Sequence, residues 1–240
     1  MRNKAFTLAE VLITLGIIGV VAAITIPNLI SNYQKRVVET NLKETYSILQ
    51  QAMKSAEADD IALDQYLGTT GMSNMKNWFN TYLAPYIKYN RVCYDKAGCW
   101  HTQKNKTLSG TSIAFDTPGI GIGSFDMVIV QLINGTNIVI DWYHPHQLSS
   151  IFGINSTIKS IALYIDANGT APPNIIGKDI YAVVMTENGL ISAGQDKSLE
   201  DINKNCSATA TGNIAGMFCL AKVKNNGWTI PNDVWKKKIK

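Results

Sequence analysis

Lys4-Ala5-Phe6-Thr7-Leu8-Ala9-Glu10 leads directly into Val11–Gln34, a stretch that holds no Asp, Glu, Lys or Arg. As a helix rising 1.5 Å per residue, it would run roughly 36 Å against a bilayer core of about 30 Å. Val, Ile, Leu and Ala dominate as far as Ile26. Pro27 then interrupts the run, and Gly16 and Gly19 weaken the helix upstream. Glu10 is the residue that does not fit a plain anchor. An unpaired carboxylate in mid-membrane costs about 2.5–3.5 kcal/mol. Its presence implies a partner charge inside the apolar phase, and so assembly.

Arg2 and Lys4 precede the segment. The positive-inside rule therefore leaves the N-terminus cytoplasmic and the bulk of the chain outside. A secretory signal cut near Ala22 and Ala23 is the first rival. It has a very short basic region, Glu10 breaks the expected apolar core, and apolar character continues past the candidate site. A simple single-pass anchor is the second rival, and it leaves Glu10 unexplained.

The stretch from Ala5 to Ile13 resembles the cleavage and methylation motif of type IV pilins and type II secretion pseudopilins. In that family a membrane aspartic peptidase cuts before the Phe, the new amine is methylated, and the Glu is the fifth mature residue. Carried over, residues 1–5 are the leader and 6–30 the transmembrane and assembly segment. Residues 31–240 form the head, which includes the packed half of the helix. Cleavage falls between Ala5 and Phe6, methylation on Phe6, and assembly on Glu10. Ala5 stands where the family usually has Gly. The resemblance implies self-assembly with other pilin or pseudopilin subunits, a prepilin peptidase and N-methyltransferase, and an inner-membrane platform. It implies residence in the inner membrane, then in a pilus or pseudopilus. A membrane-tethered binding or sensor domain is the alternative.

Outward from the segment, Val38, Leu42, Tyr46, Leu49, Met53 and Ala56 recur at helical spacing. This predicts one long helix whose second half packs on the head. A second helix is expected over 73–86, and residues 88–111 read as a loop. Residues 127–133 and 136–142 flank Asn134-Gly135, a two-residue hairpin signal. Residues 160–165 and 179–185 read as further strands. The fold class is α+β: a long N-terminal helix on a small antiparallel-sheet head. Segments 165–169 and 173–181, with Gly216-Met217-Phe218-Cys219 and Gly227-Trp228-Thr229-Ile230-Pro231, also resemble pilin-like heads.

Four cysteines form two local pairs, Cys93/Cys99 and Cys206/Cys219. Their spacings are too wide for a zinc knuckle, and an exported head permits disulfides. Chain entropy gives roughly 2–3 kcal/mol for loops this short. Net charge is +4, with Lys236, Lys237, Lys238 and Lys240 as a basic tail. The tail reads as a solvated, frayed end, and no module supports nucleic-acid binding. Asp166-x-Asn168-Gly169 reads as an Asx turn. Because some pseudopilins bind calcium in head loops, Asp166, Asn168 and Asp179 are calcium candidates. His144-Pro145-His146 reads as surface, and Gly119-x-Gly121-x-Gly123 as a loop without phosphate-binding partners. No residues propose a reaction or a cofactor, so the chain reads as a structural protein and not an enzyme.

Overall fold

The computed structural model describes residues 7–67, 71–94, 99–100, 105–112, 127–157 and 159–239. The chain divides into two compact units, Met1–Val37 and Val38–Lys240. Helix α1 (Leu8–Ala58) supplies residues to both.

In the first unit the apolar side chains face outward. Leu12, Ile13, Leu15, Ile17, Ile18 and Ile24 are each more than half exposed. Among the described residues α1 is the one helix long and apolar enough to cross a membrane. A contiguous exposed apolar surface of this size calls for lipid or partner helices.

The second unit, the head, is built on one six-stranded antiparallel sheet whose spatial order follows the chain. The strands are β1 (Tyr89–Tyr94), β2 (Val128–Leu132), β3 (Asn137–Tyr143), β4 (Ser160–Asp166), β5 (Ile180–Thr186) and β6 (Gly189–Ser192). Alternation decides which side chains face which layer. Val130, Ile140, Leu163 and Val183 join Leu42, Tyr46 and Leu49 of α1 in one core. Ile129, Val139, Ala162, Tyr164 and Val184 belong to a second core with Trp100, Leu148, Phe152, Met217 and Phe218. β4 and β5 are therefore buried along their whole length.

The helix expected over 73–86 changes pitch along its course. α2 (Met72–Trp78) widens into a π turn (Phe79–Leu83) and then tightens into a 3-10 turn (Ala84–Tyr86). Pro85 fits the last of these, because a first turn does not need its missing N–H. The loop expected over 88–111 is in part a strand: β1 pairs with β2, with an irregularity between Tyr89 and Arg91. Asn134-Gly135 turns the β2–β3 hairpin with a longer loop than the two residues expected. The Gly135 N–H bonds Leu132 O, the Leu132 N–H bonds Thr136 O, and Gly135 takes φ 86°. That pattern is a turn closed by a left-handed glycine.

Four short helices complete the head. α3 (Pro145–Gln147) continues into a π turn (Leu148–Phe152) that supplies Leu148 and Phe152 to the second core. α4 (Leu199–Asn205), α5 (Cys219–Asn225) and α6 (Asn232–Lys236) follow the sheet. As far as Ile239 the basic tail is not the frayed end that its composition suggests, and Lys240 lies outside the described residues. Val234 is fully buried, Ile239 packs on the core, and the Lys178 ammonium donates to Lys237 O.

Candidate functional site

Glu10 lies in the first turn of α1. Its Oε2 accepts the Thr7 N–H at 2.8 Å and the Thr7 hydroxyl at 2.9 Å. The Glu10 N–H returns a 3.3 Å bond to Thr7 Oγ1. This is a reciprocal capping box, in which two helix-end donors without intrahelical partners are satisfied together. The spacing Thr7-x-x-Glu10 carries the signal, whereas the charge of Glu10 alone leads only to an intermolecular reading. Glu10 thus has a local role, helix capping, alongside the intermolecular one expected of it. Ala5 and Phe6 lie outside the described residues.

Further along, α1 carries Pro27 without losing its helical course. The Thr25 hydroxyl donates to Val21 O at 2.9 Å, and the Asn28 amide to Ile24 O at 3.2 Å. A proline inside a helix leaves a carbonyl of the preceding turn without its N–H. Polar side chains that bond carbonyls nearby reduce the exposure of backbone polarity to lipid.

Both cysteine pairs are bonded. Cys93–Cys99 has Cα atoms 5.9 Å apart, and Cys206–Cys219 4.9 Å. The second bond joins the end of α4 to the start of α5. Cys206 and Cys219 are both fully buried there.

Asp166 ends β4, and Asp179 precedes β5; both are fully buried. Asp179 closes a turn, its two oxygens accepting the Asn174 N–H at 2.8 Å and the Ile175 N–H at 2.7 Å. The Asn168 amide donates to Pro172 O at 3.2 Å. So the three calcium candidates sit in one region, with Asp179 occupied by backbone donors. Among the described residues, no group of three or more His, Cys, Asp or Glu is placed to hold a metal ion. Burial pushes the Asp179 carboxyl up to about 6, against the pull of its backbone donors. Burial, then the charge of Asp179, raises Asp166 well above the usual carboxylate range.

A buried carboxyl with a raised pKa holds a proton that the unfolded chain has already released. The contribution of Asp179 to stability is then fully present below about pH 4 and falls as pH rises toward 6. For Asp179 alone the loss above pH 6 is about 3 kcal/mol. Denaturant titrations of Asp179→Asn should show a flatter pH dependence between about pH 4 and 6.5 than the parent. Equal slopes in the two proteins would refute the assignment.

His144 caps α3. The Gln147 side chain accepts the His144 N–H at 3.0 Å, and the Gln147 N–H bonds His144 O at 2.9 Å. The His144 and His146 rings stack with centroids 5.7 Å apart. His144-Pro145-His146 is thus a capped turn. Gly119, Gly121 and Gly123 lie outside the described residues.

Comparison with known families gives two matches. The prokaryotic N-terminal methylation motif matches residues 1–26. A family of unknown function (DUF6613) matches residues 28–113. No curated protein and no solved structure matches the chain. The methylation motif supports a type IV pilin-like or pseudopilin-like protein, and it points to a structural subunit instead of an enzyme. It implies processing by a prepilin peptidase and assembly with other pilins, and the apolar N-terminal helix fits a membrane anchor.

Proposed function

We propose that the chain is a structural subunit of a type IV pilus or type II secretion pseudopilus, assembled through its N-terminal helix. The observation that carries this reading is the methylation motif over residues 1–26, set on a helix whose apolar surface is exposed. Before assembly the segment lies in the inner membrane, N-terminus cytoplasmic and head outside. The peptidase cuts between Ala5 and Phe6, and Phe6 is methylated. Apolar burial between N-terminal helices then drives polymerisation. Glu10 pairs with the cationic amine of Phe6 in a neighbouring subunit. Burying either charge alone is unfavourable, so the pair selects the stagger between subunits more than it adds stability.

Processing is the direct test. Intact-protein mass spectrometry of chain from its native host should show loss of residues 1–5 and gain of one methyl group. A mature chain starting near Ile24 would mean that the segment is a cleaved secretory signal. An uncut chain would leave the tethered-domain reading ahead.

A further inference from the structure

Two features of the head, one acidic and one basic, lie at opposite ends of β5. Past the end of β5 is a cleft of about 640 Å³. Met53, Tyr82 and Leu190, all buried, line its floor, and Glu57, Asp64 and Glu187 stand exposed on its rim. Lys54 is the cation on that rim, so carboxylates outnumber lysines there three to one. Asp59 and Asp60 sit in the adjoining turn and add to the negative field. Tyr82 stacks on Trp78 with ring centroids 5.2 Å apart, which makes the floor rigid.

Before the start of β5 is Lys178, whose ammonium donates to Lys237 O. The C-terminal tail is held there, with Lys236 and Lys238 exposed. The Lys237 ammonium reaches Ala210 O at 3.4 Å. The course of α1 agrees with this separation. The Ile230 N–H, just ahead of the tail, bonds Glu39 Oε1 at 2.8 Å, whereas the cleft is lined by Gln50 to Glu57 of the same helix. The seven residues of β5 separate the two features by about 20 Å.

We propose that the acidic cleft receives the lysine tail of a second copy of this chain, so that heads stack end to end. The contact is heterologous: donor and acceptor patches differ, and each copy carries both. Such contacts do not close on themselves unless the rotation makes a ring, and otherwise they propagate as open assemblies. The tail is anchored by buried Val234, so its lysines are presented at a fixed position and lose little freedom on docking. The apolar floor suits the lysine stems, which bury their methylenes while the ammonium stays at the carboxylate rim. The contact rests on the filament reading, and it adds a second, head-level register to the one set by Glu10.

The test uses the full chain in detergent micelles, mixing isotope-labelled and unlabelled protein. Carbodiimide coupling joins an amine to a touching carboxylate with loss of water. Mixed-label peptides should join Lys236 or Lys238 to Glu57, Asp64 or Glu187. Their yield should fall at least about fivefold near 1 M salt, where the Debye length is about 3 Å. The double variant Lys236→Glu/Lys238→Glu should lose them. Mixing that variant with Glu57→Lys/Glu187→Lys should restore two kinds of mixed-label peptide, one with the native groups and one with the reactive groups exchanged between positions 236 or 238 and 57 or 187, and the second kind carries the test. Absence of mixed-label peptides, or coupling indifferent to charge reversal, overturns the contact. Normal processing and filaments with no coupling would sink the contact alone. Coupling in a chain that is never processed would sink the filament reading and leave the contact standing.

Discussion

Glu10→Val should leave membrane insertion and processing nearly unchanged and reduce sheared filament to background. The substitution removes a charge that costs about 2.5–3.5 kcal/mol in mid-membrane, so insertion becomes easier. It also removes the capping box with Thr7. A lost cap costs about 0.5–2 kcal/mol and frays one turn of a helix that is 51 residues long. Neither effect abolishes assembly. On the proposed pairing, what does is the amine of Phe6, left in an apolar interface without its counter-charge. Breaking a buried pair from one side costs about 3–5 kcal/mol, or roughly 100- to 1,000-fold or more in each docking step. Thr7→Val separates the two roles, because it removes the cap and keeps the carboxylate. It should give a mild loss of filament at most. Each variant is co-expressed with the assembly machinery, and processed protein is compared with sheared filament. Normal yield from Glu10→Val would remove the physical basis of the assembly reading.

How much of this is legible in the sequence varies with the physics behind each element. The N-terminal helix announces itself, since no charge interrupts Val11–Gln34 and Val38 to Ala56 repeat at helical spacing. Strands β2 to β5 announce themselves by β-branched runs. β1 does not, because Tyr89–Tyr94 carries Asn90, Arg91 and a cysteine that suggest a clamped loop. Among the described residues it is an edge strand, and Cys93 is the one residue of it that is buried. α4, α5 and α6 are seven residues or fewer, too short for periodicity to register. α4 does carry a cap, Ser198, whose hydroxyl accepts the Asp201 N–H at 3.0 Å. The second core is hidden for another reason. Its cover comes from Trp100, Leu148, Phe152 and Phe218, distant in sequence and drawn from irregular segments. Of the proposed assembly site, Glu10 is plain, but its bond to Thr7 is not. The acidic cleft cannot be read at all, because Glu57 and Glu187 meet only in the fold.

Gly216→Ala should destabilise the head far more than Gly212→Ala, although both glycines have nearly the same φ. Gly212 has φ +91° and Gly216 φ +93°, in the left-handed half of conformational space. Alanine there costs about 1–2 kcal/mol from its own backbone alone. Around Gly212 a Cβ would meet nothing within 4 Å, so that cost is the whole effect. At Gly216 the Cβ would press on the Ile176 carbonyl, 3.0 Å from its carbon, and lie 2.9 Å from Leu108 Cγ. Neither side can retreat. The Gly216 N–H bonds Asn205 O at 2.9 Å, and the Leu108 N–H bonds Ala215 O at 2.9 Å. Opposite, the Ile176 N–H bonds Lys106 O at 2.8 Å, and the Gly177 N–H bonds Ile180 O at 2.8 Å. A Cβ on Gly177 would in turn fall 2.7 Å from Cys219 Sγ and 3.0 Å from Gly216 Cα. The two glycines back onto each other beside the Cys206–Cys219 bond. Close approach of two backbones demands glycine on each. Gly216→Ala should therefore cost about 4 kcal/mol or more, in the range reserved for lost core geometry. At about 2–4 °C per kcal/mol for a domain of this size, its melting temperature drops by roughly 10 °C or the head fails to fold. Gly212→Ala should lose only a few degrees. Thermal unfolding of both full-length variants decides it, with peptide mapping of Cys206–Cys219 as a second readout. Equal melting temperatures would show that the Ile176 segment yields, and that the close approach is not what fixes this part of the head.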